Sequence, residues 1–393
     1  MSRPPLVLAC LAYGGLPFSA PFNPTVDASC ARVMKRRSCR ADRVAVTRLS
    51  LAASPRRPET LDADQNLLRW PDPSFEDFEA ACEAAVHRQS ALHIVSGTTV
   101  RIARTLDVRK NGQVLRIIGV GNPVIEGSCL CLFSIGGRNT KLELENVELR
   151  HLPPGAKCAD ENSETGGAIF LMGSATASLT NVSLSTNCGL GVWMVQKSQL
   201  AARGCHIHDC GRSGLAMFGD ASAALESCSL ERCAIHGACA RGRTKLTLSA
   251  CKVRDCGRRG IYGYQNNTLL LDQCIVSGTQ DPTRAAVEAA GGKEGDNVYA
   301  RIGRCHVHSN LGAGVRLRGA VKHALEDNEC FGNCNGDLDI MCVEAIKAEP
   351  QSITEPTGRY ETLSRGGMSL SPLSRPAEKR QDDIESREET EVI

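Results

Sequence analysis

Three consecutive windows, CHIHDCGRSGLAM, CSLERCAIHGACA and CKVRDCGRRGIYG, restate one pattern at a fixed interval. Cys205, Cys228, Cys251 and Cys274 head four units spaced 23 residues apart, and Cys210, Cys233 and Cys256 follow at the same spacing. A period in this range, dense in small residues and short alternating apolar runs, implies a solenoid. Each unit is then too small to bury its own apolar face and does so only by stacking on its neighbours. The constraint reaches the whole chain, because 393 residues exceed one ordinary compact core while a coil stack grows in one dimension.

Composition decides what the units are made of. The middle of the chain is dominated by Gly, Ser, Thr, Val and Leu, which favours strands over helix pairs. Its 20 cysteines recur with the repeat and, at about 5% of the chain, stay below the roughly 8 to 10% of a disulfide scaffold. The ends differ from this. Residues 1–66 read as a mostly disordered basic leader, in which ten Lys/Arg up to residue 60 face only Asp27, Asp42 and Glu59. Its apolar run from Leu6 to Leu16 has the layout of a secretory signal, and the Arg-rich stretch from Cys30 to Pro58 that of an organelle transit peptide. The expectation is an intracellular or organelle-targeted chain, with the secretory route as the second reading. That run is too short for a membrane span of about 20 residues. Residues 346–393 read as a disordered charged tail, too poor in apolar residues to offset the entropy of ordering. Between residues 61 and 350, thirty basic residues face thirty-two acidic ones. Such a balance argues against nucleic acid, whose phosphates call for a basic patch.

The repeat domain is expected over residues 67–345. Ser74, with Asp77 three residues on, signals a helix whose apolar stripe is Phe75, Phe78, Cys82, Ala85 and Val86; it would cap the first coil. Short alternating runs closed by Gly, Asn or Asp follow, the sign of strands joined by tight turns. Aligned, the units give a strand one carrying Val182, Cys205, Cys228, Cys251, Cys274, Cys305 and Asn328, and a turn carrying Cys210, Cys233, Cys256, Asn310 and Asn333. Strand two carries Val192, Leu215, Ala238, Ile261, Val287 and Val315, and strand three carries Leu179, Ala202, Leu225, Leu248, Leu271, Ile302 and Leu325. Alternation across a strand makes these the inward set. This layout, the capping helix and the passage GQVLRIIGVGNPVIEG resemble the pectate-lyase-like superfamily. The resemblance implies an all-β right-handed parallel β-helix of three short strands per coil, about ten coils over residues 70 to 342. That superfamily includes polysaccharide lyases, hydrolases and epimerases as well as domains that only bind, so the fold does not choose a function.

The ladders read as packing: a buried Cys behaves as a small apolar residue, and Asn at a turn bonds the backbone. No metal site and no cofactor are expected, because structural zinc prefers converging knuckles over cysteines five residues apart. Function is therefore sought on outward positions. On strand two these are Trp193, Phe218, Arg241, Tyr262, Tyr264, Arg316 and Arg318, an aromatic and guanidinium face suited to an extended ligand. On strand one, His206, His208, His306 and His308 line up with no third metal ligand. Beside them Asp209, Arg232 and Asp255 fall in register with Arg254 nearby. Such a column is a surface ion ladder or, as the resemblance implies, the acids and arginine with which uronate lyases and epimerases work. Two stretches break the period: one between Arg150 and Gly166, acidic through Asp160, Glu161 and Glu164, and one from Gly278 to Asp296. Loops of this kind often flank a groove. The pectin-hydrolase paired aspartates and Gly-His-Gly are absent, and Asp281-Pro282 is followed by Thr283 and Arg284 where the epimerase pattern has His. The sequence thus points to a non-catalytic scaffold binding an extended glycan or protein segment. The alternative is a lyase or epimerase acting through Asp209, Asp255 and Arg232 or Arg254.

Overall fold

The computed structural model describes residues 68–152, 166–291 and 296–345. The leader, the acidic loop with Asp160, Glu161 and Glu164, and the tail lie outside the described residues. Strands built by the 23-residue pattern stack in parallel, each residue beside its counterpart one coil later. Strand one forms a ten-stranded sheet from Thr99–Ile102 to Glu329–Phe331, while strands two and three together form a twenty-stranded one. The inward columns named above are buried, as alternation requires, except at the last coils, where Leu325 and Asn328 are half-buried. Among the described residues, no helix is long and apolar enough to cross a membrane.

Most corners carry one residue in the left-handed region. Between strands three and one these are Asn146, Asn181, Gly204, Ser227, Ala250, Gln273, Arg304 and Asp327; between one and two, Asp209, Arg232, Asp255 and Ser309. Every such residue is followed by an inward one, which gives the cysteines a second duty. They sit at the corners more than on strand one itself, whose strands start one residue later, as at Ser229 after Cys228. From there each thiol reaches the carbonyl two residues back: Cys228 to Glu226 at 3.3 Å, Cys274 to Asp272 at 3.3 Å, Cys256 to Arg254 at 3.5 Å. Each of these carbonyls also accepts the backbone N–H of the corner residue one coil earlier, Glu226 O from Gly204 at 3.0 Å, Asp272 O from Ala250 at 2.9 Å and Arg254 O from Arg232 at 3.0 Å, so the thiol is a second, weak donor to an oxygen that has two lone pairs. Asn310 does the same with a stronger donor, its amide bonding His308 O at 3.1 Å. Small size plus a weak donor is what this position selects. The lower ladder also fixes its glycines: a Cβ on Gly214 would lie 3.0 Å from Cys233 Sγ and 2.8 Å from Gly237 O.

The capping helix spans Phe78–Arg88 and begins later than the Ser74 signal suggests. Asp77 is its N-cap, accepting from the Ala80 amide at 2.7 Å. Ser74 instead closes a turn with Asp72. Phe78, Cys82 and Ala85 are buried against the first coils, and Phe75 and Val86 pack on the rim. The break from Gly278 to Asp296 splits in two. Tyr262 pairs with Glu288, 26 residues on, and Thr268 with Tyr299, 31 on. The surplus therefore falls partly before strand Ala285–Ala290 and partly after it, and what looked like one loop contains a core strand.

Candidate functional site

Strand two carries two outward columns. One runs through Ser134, Phe170, Trp193, Ala216, Cys239, Tyr262, Glu288, Arg316 and Asp339. The other runs through Phe218, Arg241, Tyr264, Ala290, Arg318 and Met341. The seven residues expected on this face thus fall into two adjacent lines: Trp193, Tyr262 and Arg316 in the first, Phe218, Arg241, Tyr264 and Arg318 in the second. In the first line Ala216 and Cys239 are fully buried although they alternate outward. The accessible part at that level is the second line, half-buried at Phe218, Arg241 and Tyr264 and exposed at Arg318.

The rings pack within and across these lines. Phe170 and Trp193 lie 4.6 Å apart, and Tyr262 and Tyr264 stack at 6.1 Å with planes 20° apart. Arg241 holds its guanidinium 5.5 Å above the Tyr264 ring, and among the described residues it has no carboxylate partner. Ring, guanidinium and ring therefore follow on three successive coils, roughly 4.8 Å apart in the sheet direction. Arg316 is used differently: it pairs with Asp339 at 2.7 Å and donates to Thr283 O at 2.9 Å, with its side chain 12% exposed. It braces the break after Gly278 and is not presented to solvent with the others.

Where strand two begins, a buried polar group adjoins the face. Arg259 pairs with Glu288 at 2.8 Å, the two side chains 1% and 6% exposed, and its guanidinium lies 4.0 Å over the Tyr262 ring. His236, one coil before Arg259, sits 5.5 Å from the same ring. Burial, then the charges of Arg259, Arg258 and Arg284, push the His236 imidazole well below its ordinary value, so it is neutral at neutral pH. Its Nδ1 and the hydroxyl of Ser213 are buried without a hydrogen-bond partner. None of Arg259, His236 and Glu288 was visible as a site residue in sequence. The strand-two alternation puts position 259 among inward residues, and the break after Gly278 hides the register of Glu288.

The strand-one column is built otherwise. Arg232 holds Asp209 with two bonds of 2.7 and 2.8 Å, and His208 adds a third of 2.7 Å. Arg232 above all, then His208, keeps that carboxyl far below the usual range. Asp209, Arg232 and Asp255 all have positive φ, so their alignment reflects a corner of the backbone. Arg254 stands in register with Glu231. His206 and His208 stack at 4.1 Å, and among the described residues no three His, Cys, Asp or Glu side chains converge on a metal position. Two cavities, of about 650 Å³ beside the capping helix and about 540 Å³ over strand three, are lined by none of the residues named in this section.

The chain is a right-handed parallel β-helix repeat protein, the fold that the pectate-lyase-like resemblance implied. Residues 134–297 match the family model described as right handed beta helix region. Comparison with curated proteins finds no match. Among solved structures, the mannuronan C-5 epimerase AlgE4 A-module of Azotobacter vinelandii is 13% identical, over 71% of this chain and 96% of that one, with a TM-score of 0.36. The pectin methylesterase of Aspergillus niger is 12% identical, over 68% and 86%, at 0.35. The Dettilon tailspike protein is 11% identical, over 70% and 68%, at 0.37. Likenesses of this strength assign no activity.

Proposed function

We propose that the protein is a binding domain that holds an extended glycan along the second outward line of strand two, without turning it over. The observation that carries this reading is the succession Phe218, Arg241, Tyr264 on three consecutive coils, with Arg241 lying on a ring and not on a carboxylate. Flat rings stack on the C–H faces of sugars, and a guanidinium fork between them donates to hydroxyl or carboxylate oxygens. Trp193 and Tyr262 border the line and Arg318 extends it. Asp209, the acid that the enzyme alternative would need as a base, is already held by Arg232 and His208.

The test is a panel of neutral and acidic polysaccharides, scored for retention of the protein and for unsaturated or shortened products. Retention without product is expected, with Phe218→Ala plus Tyr264→Ala weakening it at least tenfold, about 1.4 kcal/mol. Product formation that vanishes in Asp209→Ala would replace this reading with the lyase or epimerase. A protein segment retained through the same two rings, with every glycan ignored, would replace the ligand class.

A further inference from the structure

The capping helix Phe78–Arg88 presents two faces. Phe78, Ala81, Cys82 and Ala85 are buried over the first coils. Glu79, Cys82, Glu83, Val86 and His87 follow one another at three- and four-residue spacing, which makes them neighbours along the helix. They line the cavity of about 650 Å³ that the helix shares with strand Leu106–Val108 and the turns flanking that strand. Its floor is apolar: Cys82, Leu106, Val108 and Leu115 are buried and Val86 is half-buried. Small-molecule sites of about 300 to 1,000 Å³ combine such a floor with a few polar groups that fix orientation.

One polar group lies deep in this cavity. Glu79 is 7% exposed, yet among the described residues its carboxylate has neither a hydrogen bond nor an ion pair. Burial first, and then the charge of Glu79, push the Cys82 thiol well above its ordinary value, which sets that charge close to the floor. Glu79 belongs to the first turn, where a helix N-terminus eases a negative charge without giving it a partner. A carboxylate buried in this way is costly until a cation or a donor meets it. Around the mouth, Arg109 is taken by Asp107 at 3.0 Å and Ser134 at 2.9 Å. Arg104 and Lys110 are exposed there, and among the described residues neither side chain has an acid partner.

We propose that this cavity binds a small amphipathic zwitterion, with its ammonium group on Glu79, its apolar chain on the floor and its carboxylate at the mouth on Arg104 and Lys110. An ammonium supplies both the charge and the donors that Glu79 lacks. With an acid inside and bases outside, the reverse orientation is disfavoured. The cavity shares no residue with the second outward line of strand two, so this goes beyond the glycan reading and stands or falls without it.

The experiment is an NMR titration of the full chain with 6-aminohexanoate, hexylamine and hexanoate. The first should bind with a Kd below about 1 mM, hexylamine more weakly, and hexanoate at least tenfold more weakly than hexylamine. Glu79→Gln, close in shape, should bring hexylamine down to the level of hexanoate and leave the unfolding midpoint no lower, because it removes a buried charge that had no partner to lose. Arg104→Gln with Lys110→Gln, both on exposed side chains, should bring 6-aminohexanoate to the level of hexylamine and leave hexylamine unchanged. No binding of any of the three up to about 10 mM overturns the proposal. So does a preference for the amine that is absent from the native chain or that survives Glu79→Gln, or binding of 6-aminohexanoate indifferent to the double variant. A midpoint lowered by Glu79→Gln would show a carboxylate already satisfied within its own chain, and overturns it too.

Discussion

Strands one and two turn opposite kinds of surface outward from the same coil. On strand one several charges are answered one coil away or on their own strand: Arg101 by Glu126, Arg150 by Glu148, His306 by Glu329, and Asp209 by Arg232 at the corner beyond. On strand two rings replace most of the charges, and the pair Arg259–Glu288 has gone inside. The difference is one of solvent. Arg232 and Asp209 keep 47% and 52% of their side-chain surface, whereas Arg259 and Glu288 keep 1% and 6%. The first pair can exchange its partner for water at little cost. The second cannot, and breaking it distinguishes the faces most sharply. Arg259→Ala should cost about 3 to 5 kcal/mol in urea unfolding, because it strands the Glu288 carboxylate in a dry site. Arg259→Met with Glu288→Leu should recover most of that loss, as buried pairs replaced by apolar groups often do. A single substitution as mild as one on strand one would abolish the contrast.

That contrast also separates what could be read in the sequence from what could not. The 23-residue cysteine ladder revealed the coil, its three strands and the inward columns, because burial repeats with the chain's own period. The second outward line was legible for the same reason, since Phe218, Arg241 and Tyr264 simply alternate with core residues. Arg259 was not, because alternation assigns its position to the core, while its guanidinium packs against Tyr262 and Glu288 of the first outward line. Asp209, Arg232 and Asp255 aligned in sequence as though they formed a site. Their positive φ shows that a shared corner, with no shared substrate, suffices to align them. Periodicity reports where a side chain sits in the coil, while the partner that decides its role comes from three-dimensional neighbours a coil or more away.

The faces should also answer acid differently. His236 is held neutral by burial and by the guanidinium charges around it, while the unfolded chain protonates near 6.5. Protons thus favour the unfolded state: this contribution to stability is full above about pH 6.5 and is lost as pH falls below it. One such group supplies at most about 1.4 kcal/mol per pH unit. Unfolding midpoints measured from pH 8 down to 5.5 should decline with that slope or less, and His236→Gln should flatten the decline. His151, buried with Nε2 2.8 Å from Cys129 O and lowered by desolvation, leaves a remainder. An unchanged slope in the variant would mean that the strand-two corner admits a proton without opening.

The smallest effect belongs to the strand-one column, and its size decides between the two accounts of that column. Asp209 both accepts from Arg232 and occupies a corner with φ 49°, so Asp209→Ala removes a charge and places a residue less tolerant of the left-handed region. Asp209→Asn separates the two, since Asn keeps the conformational tolerance. For a half-exposed pair the charge is worth about 0.2 to 1 kcal/mol; Asp209→Asn should therefore cost no more than that, and Asp209→Ala somewhat more. Because the folded carboxyl titrates far below its unfolded value, the contribution is complete above about pH 4 and disappears as pH falls below it. It should also shrink in about 1 M salt, where screening acts within roughly 3 Å. Stability measured in the two variants at low and high salt tests this directly, and glycan retention on strand two should not change in either. A loss of retention in Asp209→Asn at full stability would bring the corner column into the ligand site and join two faces that the coil keeps apart.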